Sequence, residues 1–180
     1  MQSPRARWWV IGLLAVGTSS LIAYVSARGD DPPPEPRLAT KAHANARAGY
    51  AFSYPPGWRL RQRGSVARVM SPDADASVSI GLGGRGNLQT VAVRFVGELE
   101  EAYRRVALTG FQLTLLDGEP AVSFNGSAVS DRGVALRFQA ISVAGPTRNY
   151  SVAVFVAADA SPEEVLPPIQ EIVDSFRLVR

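Results

Sequence analysis

The chain has 180 residues, with nineteen basic and sixteen acidic side chains, one histidine and no cysteine, for a formal charge of +3. No cysteine means no disulfide framework, thiolate nucleophile or thiolate metal site. Residues 1–45 hold five basic and three acidic groups and residues 46–180 hold fourteen and thirteen, so the larger part is nearly neutral and the alkaline pI gives no case for nucleic acid.

Trp8–Val25, WWVIGLLAVGTSSLIAYV, is eighteen residues without a charge. At ~1.5 Å rise per residue it spans roughly 27 Å, close to the ~30 Å hydrocarbon core of a bilayer. Trp8 and Trp9 at one end and Tyr24 at the other stand where amphipathic rings meet the headgroups. The stretch predicts a transmembrane signal anchor over 8–25 behind a short tail, 1–7. A signal peptide cleaved after Val25-Ser26-Ala27 is the other reading, and the length of the apolar run favours the anchor. Arg5 and Arg7 before the segment, against Arg28 offset by Asp30 and Asp31 after it, give a slight positive-inside bias. The expected placement is therefore a single pass through the plasma membrane, with the C-terminal domain extracytoplasmic.

Residues 26–48 read as a linker. Pro32, Pro33 and Pro34 favour polyproline II, a semi-rigid spacer. The alanine-rich part after it has no apolar face to bury and is expected to stay mostly disordered. His43 falls inside this linker. A Ser-His-Asp triad or a histidine metal site needs its imidazole packed and oriented, so the position argues against both.

Residues 49–180 read as one α+β domain. Tyr50-Ala-Phe-Ser-Tyr54 alternates at period two, as a half-buried strand does. Pro55-Pro56-Gly57 turns the chain, and the alternation resumes at Trp58–Arg61 with Trp58 and Leu60 on one face and Arg59, Arg61 and Arg63 on the other. Strands follow at Val66–Met70 and about Ala76–Leu82. Leu88, Val91, Phe95, Leu99, Tyr103 and Val106 recur at helical spacing, predicting a helix over 88–108 that Thr109-Gly110 stops. Strands at about 111–116, 121–129, 134–143 and 150–157, joined by short Gly-containing turns, predict an antiparallel meander. Ser161-Pro162-Glu163-Glu164 has capping-box spacing with proline at the first helical position, and Pro167-Pro168 should kink or restart the helix that follows.

Three motifs invite chemistry. Gly81-Leu82-Gly83-Gly84-Arg85-Gly86 fits GxGxxG, but no parallel strand ending in an acid follows, so a strand-to-helix loop is the reading; a milder version lets Arg85 and nearby amides hold an anion. Asp73-Ala-Asp75 starts like a calcium loop yet lacks its glycine and its terminal glutamate. Glu100-Glu101 and Glu163-Glu164 are neighbours on helices, where adjacent side chains diverge and cannot flank one bond. No catalytic residue, cofactor or metal site is expected.

YAFSYPPGW at the start, LDGEPAVSFNG before a long hairpin and EIVDSFRLV at the end resemble the PsbP-like fold family. That family takes in the extrinsic PsbP protein of photosystem II, the Ran-binding factor Mog and LpqN-like envelope proteins. In it, Tyr54, Pro55 and Trp58 correspond to the aromatic start and Ser175-Phe176 to the end of the last helix. The resemblance implies an antiparallel sheet packed between helices, no catalytic residue, and a role in binding or assembly. LpqN-type lipoproteins carry a lipidated cysteine; this chain has none, so the 8–25 helix would be its tether. The expectation is a membrane-anchored, extracytoplasmic, non-enzymatic domain that binds a protein or envelope component, with Arg59, Arg61, Arg63 and Arg85 as candidate partner or anion contacts. The alternative is a lipid or small-molecule carrier with a cavity between sheet and helix.

Overall fold

The computed structural model describes residues 40–179. The expected membrane segment with Trp8, Trp9 and Tyr24 lies outside the described residues, and among those described no helix is long and apolar enough to cross a membrane. In chain order the elements are β1 Lys41–Asn45, β2 Tyr50–Tyr54, β3 Arg59–Arg63, β4 Val66–Met70, β5 Ala76–Gly84, α1 Leu88–Ala102, β6 Arg104–Leu116, β7 Glu119–Val129, β8 Ala135–Val143, β9 Asn149–Ala157, α2 Pro162–Asp174 and β10 Arg177–Leu178. Seven strands form one sheet in the order β3-β4-β5-β9-β8-β7-β6, and β1-β2-β10 form a second. Every pairing is antiparallel. Asp117 and Gly118, both at positive φ, close the β6–β7 hairpin in the way a two-residue turn requires.

Successive residues of β9 point to opposite faces and show why the sheet is covered twice. Val152, Val154 and Val156 join Val78 and Ile80 of β5 in a core with Tyr50, Phe52, Val165, Ile169, Ile172 and Phe176, so α2 and the small sheet lie on that side. Ala153 and Phe155 join Phe124, Phe138 and Ala140 in a second core closed by Ala92, Phe95 and Leu99 of α1. The α+β architecture with a sheet between helices is the one expected.

Four local expectations are corrected. Residues 41–45 form a strand whose His43 stands opposite Phe52, so this part of the expected disordered linker is ordered. Alternation with alanine hid it, because alanine gives a weak apolar face. The helix expected over 88–108 ends at Ala102: Tyr103 turns extended and its ring stacks on Phe155 at 4.9 Å, after which Arg105 takes a positive φ and β6 begins. Val106 fits both the helical and the strand period, and the β-favouring Val106, Thr109, Phe111 and Thr114 carry the chain into the sheet. Thr109-Gly110 therefore marks not a helix stop but a register shift between Leu108 and Gly110. Opposite the shift, a Cβ on Gly126 would meet the Ala107 carbonyl and the Phe138 ring, so only glycine fits there. Finally, α2 runs unbroken through Pro167 and Pro168, held by four buried side chains on the sheet, and Ser161 makes no side-chain cap bond.

Candidate functional site

Among the described residues the seven-stranded sheet has two open edges, and the sequence treats them in opposite ways. At β3, Leu60 packs toward the core while Arg59, Arg61 and Arg63 stand exposed on the other face. Arg61 lies directly across from Arg68 of β4. Arg68, also exposed, donates to Ser77 Oγ at 3.1 Å, and Arg59 donates to the Pro72 carbonyl at 3.2 Å. Four guanidinium groups thus share one sheet face. Sequence reasoning found three of them; Arg68 joins only through the β3–β4 register. Charges on an edge strand also discourage pairing with other chains. Arg85 is not part of this row: it is exposed in the loop between β5 and α1.

At the other end, β6 is thirteen residues long and pairs only with β7 among the described strands. Leu108, Phe111, Leu113 and Leu115 lie opposite Gly126, Phe124, Val122 and Pro120, so all four share the face that α1 packs on. They are nevertheless 46%, 57%, 80% and 66% exposed. Phe111 stacks on Phe124 with centroids 6.0 Å apart, which links the exposed strip to the core beneath α1. Gln112 and Thr114 occupy the opposite face, and no charge occurs between Val106 and Leu116. A long, uncharged, apolar edge with free backbone groups is a template for another strand. Sequence reading missed this strip. F-Q-L-T-L identifies a strand with one apolar face, but not that the face lies at an edge beyond the reach of α1.

The glycine-rich stretch is mostly ladder. Gly81, Leu82 and Gly84 pair with Ser151, Tyr150 and Asn149 of the antiparallel β9. Arg94 donates to the Gly83 carbonyl at 2.6 Å, and its guanidinium fills the space where a Cβ on Gly84 would stand. At the start of α1 the Asn87 side chain accepts the Thr90 amide at 2.8 Å, satisfying one of the donors an anion would use. The Asp73 segment is a turn: its carboxylate accepts the Ser71 hydroxyl at 2.6 Å and the Asp75 amide at 3.3 Å. The Ser71 hydroxyl, then the Asp75 amide, hold the Asp73 carboxyl below its usual pKa.

His43 is packed, contrary to the expectation for a linker residue. Its ring lies 5.1 Å from that of Phe52, burial lowers its pKa, and its buried Nε2 has no hydrogen-bond partner. A triad needs that nitrogen on a hydroxyl, so order alone does not make His43 catalytic. Tyr50, wholly buried, has its phenol pKa raised by burial; its hydroxyl lies 3.1 Å from the Ser65 carbonyl and 3.2 Å from that of Ile80. Among the described residues three other buried polar atoms have no partner, Asn125 Oδ1, Arg137 Nε and Ser142 Oγ; the first two are one acceptor and one donor on the same face of adjacent strands. Where a carrier would keep its cavity, Tyr50, Phe52, Ile169, Ile172 and Phe176 are buried against the sheet.

No family model and no curated protein matches the chain. Solved structures do match. Cyanobacterial PsbP (CyanoP) from Synechocystis aligns with TM-score 0.58 and 16% identity over 83% of this chain and 98% of its own. The Ran-binding protein Mog1p of Saccharomyces cerevisiae aligns with TM-score 0.54 and 12% identity over 79% of this chain and 97% of its own. LpqN of Mycobacterium tuberculosis, involved in cell envelope biogenesis, reaches 0.47 at 16% identity over 73% and 83%. At such identities the likeness concerns the fold alone, and the first two matches carry it.

Proposed function

Because the chain has the PsbP-like fold, we propose that it is a recognition domain without chemistry of its own, tethered to the outer face of the plasma membrane by residues 8–25, and that it binds a protein partner by strand addition to β6. One observation carries the reading: the exposed Leu108-Phe111-Leu113-Leu115 strip on an uncharged edge, in a sheet whose other edge bears arginines. An added strand would take up the open backbone donors and acceptors of β6, and its side chains would cover the strip. Mog1p, which is named a Ran-binding protein, supports the reading to the extent that this fold serves protein recognition elsewhere. The tether rests on the uncharged run Trp8–Val25 with its terminal aromatic residues, and the outward orientation on the arginines ahead of it.

The test places a photo-reactive side chain at position 113 or, as a control, at Val93, an α1 residue that is 66% exposed. The full chain is then irradiated in the cells that make it. Cross-linking from 113 in clear excess over 93 is expected. Equal labelling at the two positions would refute recognition through β6.

A further inference from the structure

We propose that the strand β6 accepts is β6 of a second copy of this chain, paired antiparallel about a two-fold axis at Leu113. The inference rests on the edge-recognition reading above and names its partner. Three features of β6 lead to it.

The unbroken part of the β6 ladder runs from Gly110 to Leu116, because the register shifts before Gly110 and the hairpin turns after Leu116. Its midpoint is Leu113. Antiparallel pairing about that residue sets Leu113 against Leu113, Phe111 against Leu115, Gln112 against Thr114 and Gly110 against Leu116 of the other copy. In F-Q-L-T-L the apolar positions then meet apolar ones on the α1 face, and the polar pair meets on the other. Directly opposed side chains in such a ladder have Cβ atoms about 4.5–5.5 Å apart, so each match is a contact.

Chemistry separates this occupant from a lipid surface. A bilayer would take the four apolar side chains, yet it offers nothing to the open N–H and C=O groups of the edge, and such groups are costly in hydrocarbon. A strand satisfies both demands together. The residue on the axis is also the one whose charge could not be tolerated, since any charge there meets its own image. Leucine occupies it, and it is the most exposed of the four at 80%. Pairing of this kind joins two seven-stranded sheets into one continuous sheet, with each α1 on the same side. It closes as a dimer and leaves the arginine-bearing β3 edges at the two ends.

Because the chain has no cysteine, a single introduced thiol reports one contact. The full chain carrying Leu113→Cys, oxidised mildly in whole cells, is expected to run largely as a covalent dimer, and the Val93→Cys chain to give less than about a tenth as much. Co-expressed Phe111→Cys and Leu115→Cys chains should cross-link to each other more than either does to itself, which a chance collision or association through residues 8–25 would not produce. Leu113→Lys should convert the detergent-solubilised dimer to a monomer with an unchanged circular dichroism spectrum. Equal self-linking at 113 and 93, or none at either, overturns the second-copy assignment. If 113 does not link to itself but the photo-reactive group there captures a different polypeptide, this inference falls and recognition through β6 stands. If the photo-reactive group at 113 captures nothing beyond the Val93 control, both fall.

Discussion

Asn45 decides whether residues 41–48 belong to the folded domain. It is 5% exposed at the end of β1. Its Nδ2 donates to the Gly64 carbonyl in the β3–β4 turn at 3.1 Å, and its Oδ1 accepts the Ala48 amide at 3.1 Å. Asn45→Ala removes both bonds, each contributing about 0.5–1.5 kcal/mol net. Neither partner is orphaned, because Gly64 O keeps the Gln62 side chain at 3.2 Å and the Ala48 amide keeps the Asn45 carbonyl at 3.1 Å. The expected loss is therefore in the lower part of the range, about 1–2 kcal/mol, or a fall in melting temperature of ~3–8 °C for a domain of this size. Asn45→Asp should cost more than alanine, since it keeps the acceptor but aims a buried carboxylate at a carbonyl. Urea unfolding of a fragment beginning at Thr40, followed by circular dichroism, measures both. A change below about 0.5 kcal/mol, the usual range for a surface position, would return 41–48 to the linker and refute the packing described.

Three further outcomes are expected. His43 is held neutral by burial, so its folded pKa lies below its ordinary value and the unfolded chain takes up the proton first. The stability it contributes is whole above about pH 6.5 and falls as pH drops from there toward the folded value. Urea midpoints between about pH 7 and 5.5 should therefore flatten in His43→Phe, and an unchanged slope would contradict this. Gly126→Ala should cost about 1–3 kcal/mol, because the Ala107 carbonyl and the Phe138 ring occupy the space its methyl needs; a neutral effect on thermal melting would show that the β6 bulge yields easily. The full chain should stay in the membrane pellet after alkaline carbonate extraction, with an intact mass that includes residues 1–25, and its domain should be digested by protease added outside spheroplasts. A soluble mature form beginning near Arg28 would replace the anchor with a cleaved signal.

The parts legible in the sequence were those where a local pattern has one physical meaning. Asp117-Gly118 closes a hairpin because both residues take positive φ, and the apolar spacing of Val165, Ile169, Ile172 and Val173 lays α2 on the sheet, although the two prolines inside it point to a kink or restart. The parts that escaped depend on what lies opposite. Lys41–Asn45 is a strand because Tyr50–Tyr54 is there to pair with it, and α1 stops at Ala102 because Tyr103 finds Phe155. Arg59, Arg61 and Arg63 were readable as a solvated row, whereas Arg68 joins them only through strand register. The β6 strip was hidden for a related reason. Alternation says that one face is apolar, and only the strand order shows that this face stands at an edge with no further strand among the described residues.

Hydrogen exchange at the backbone of residues 110–116 is the most direct measure of whether β6 is a pairing edge. An unpaired edge strand leaves about half of its amides open to water, whereas a paired one protects them. The full chain, as isolated from the cells that make it, should show slow exchange across 110–116, and Leu113→Lys should restore fast exchange at alternate positions there while leaving β8 and β9 unchanged. Fast exchange at those same alternate amides in the unaltered chain would mean that nothing pairs with β6.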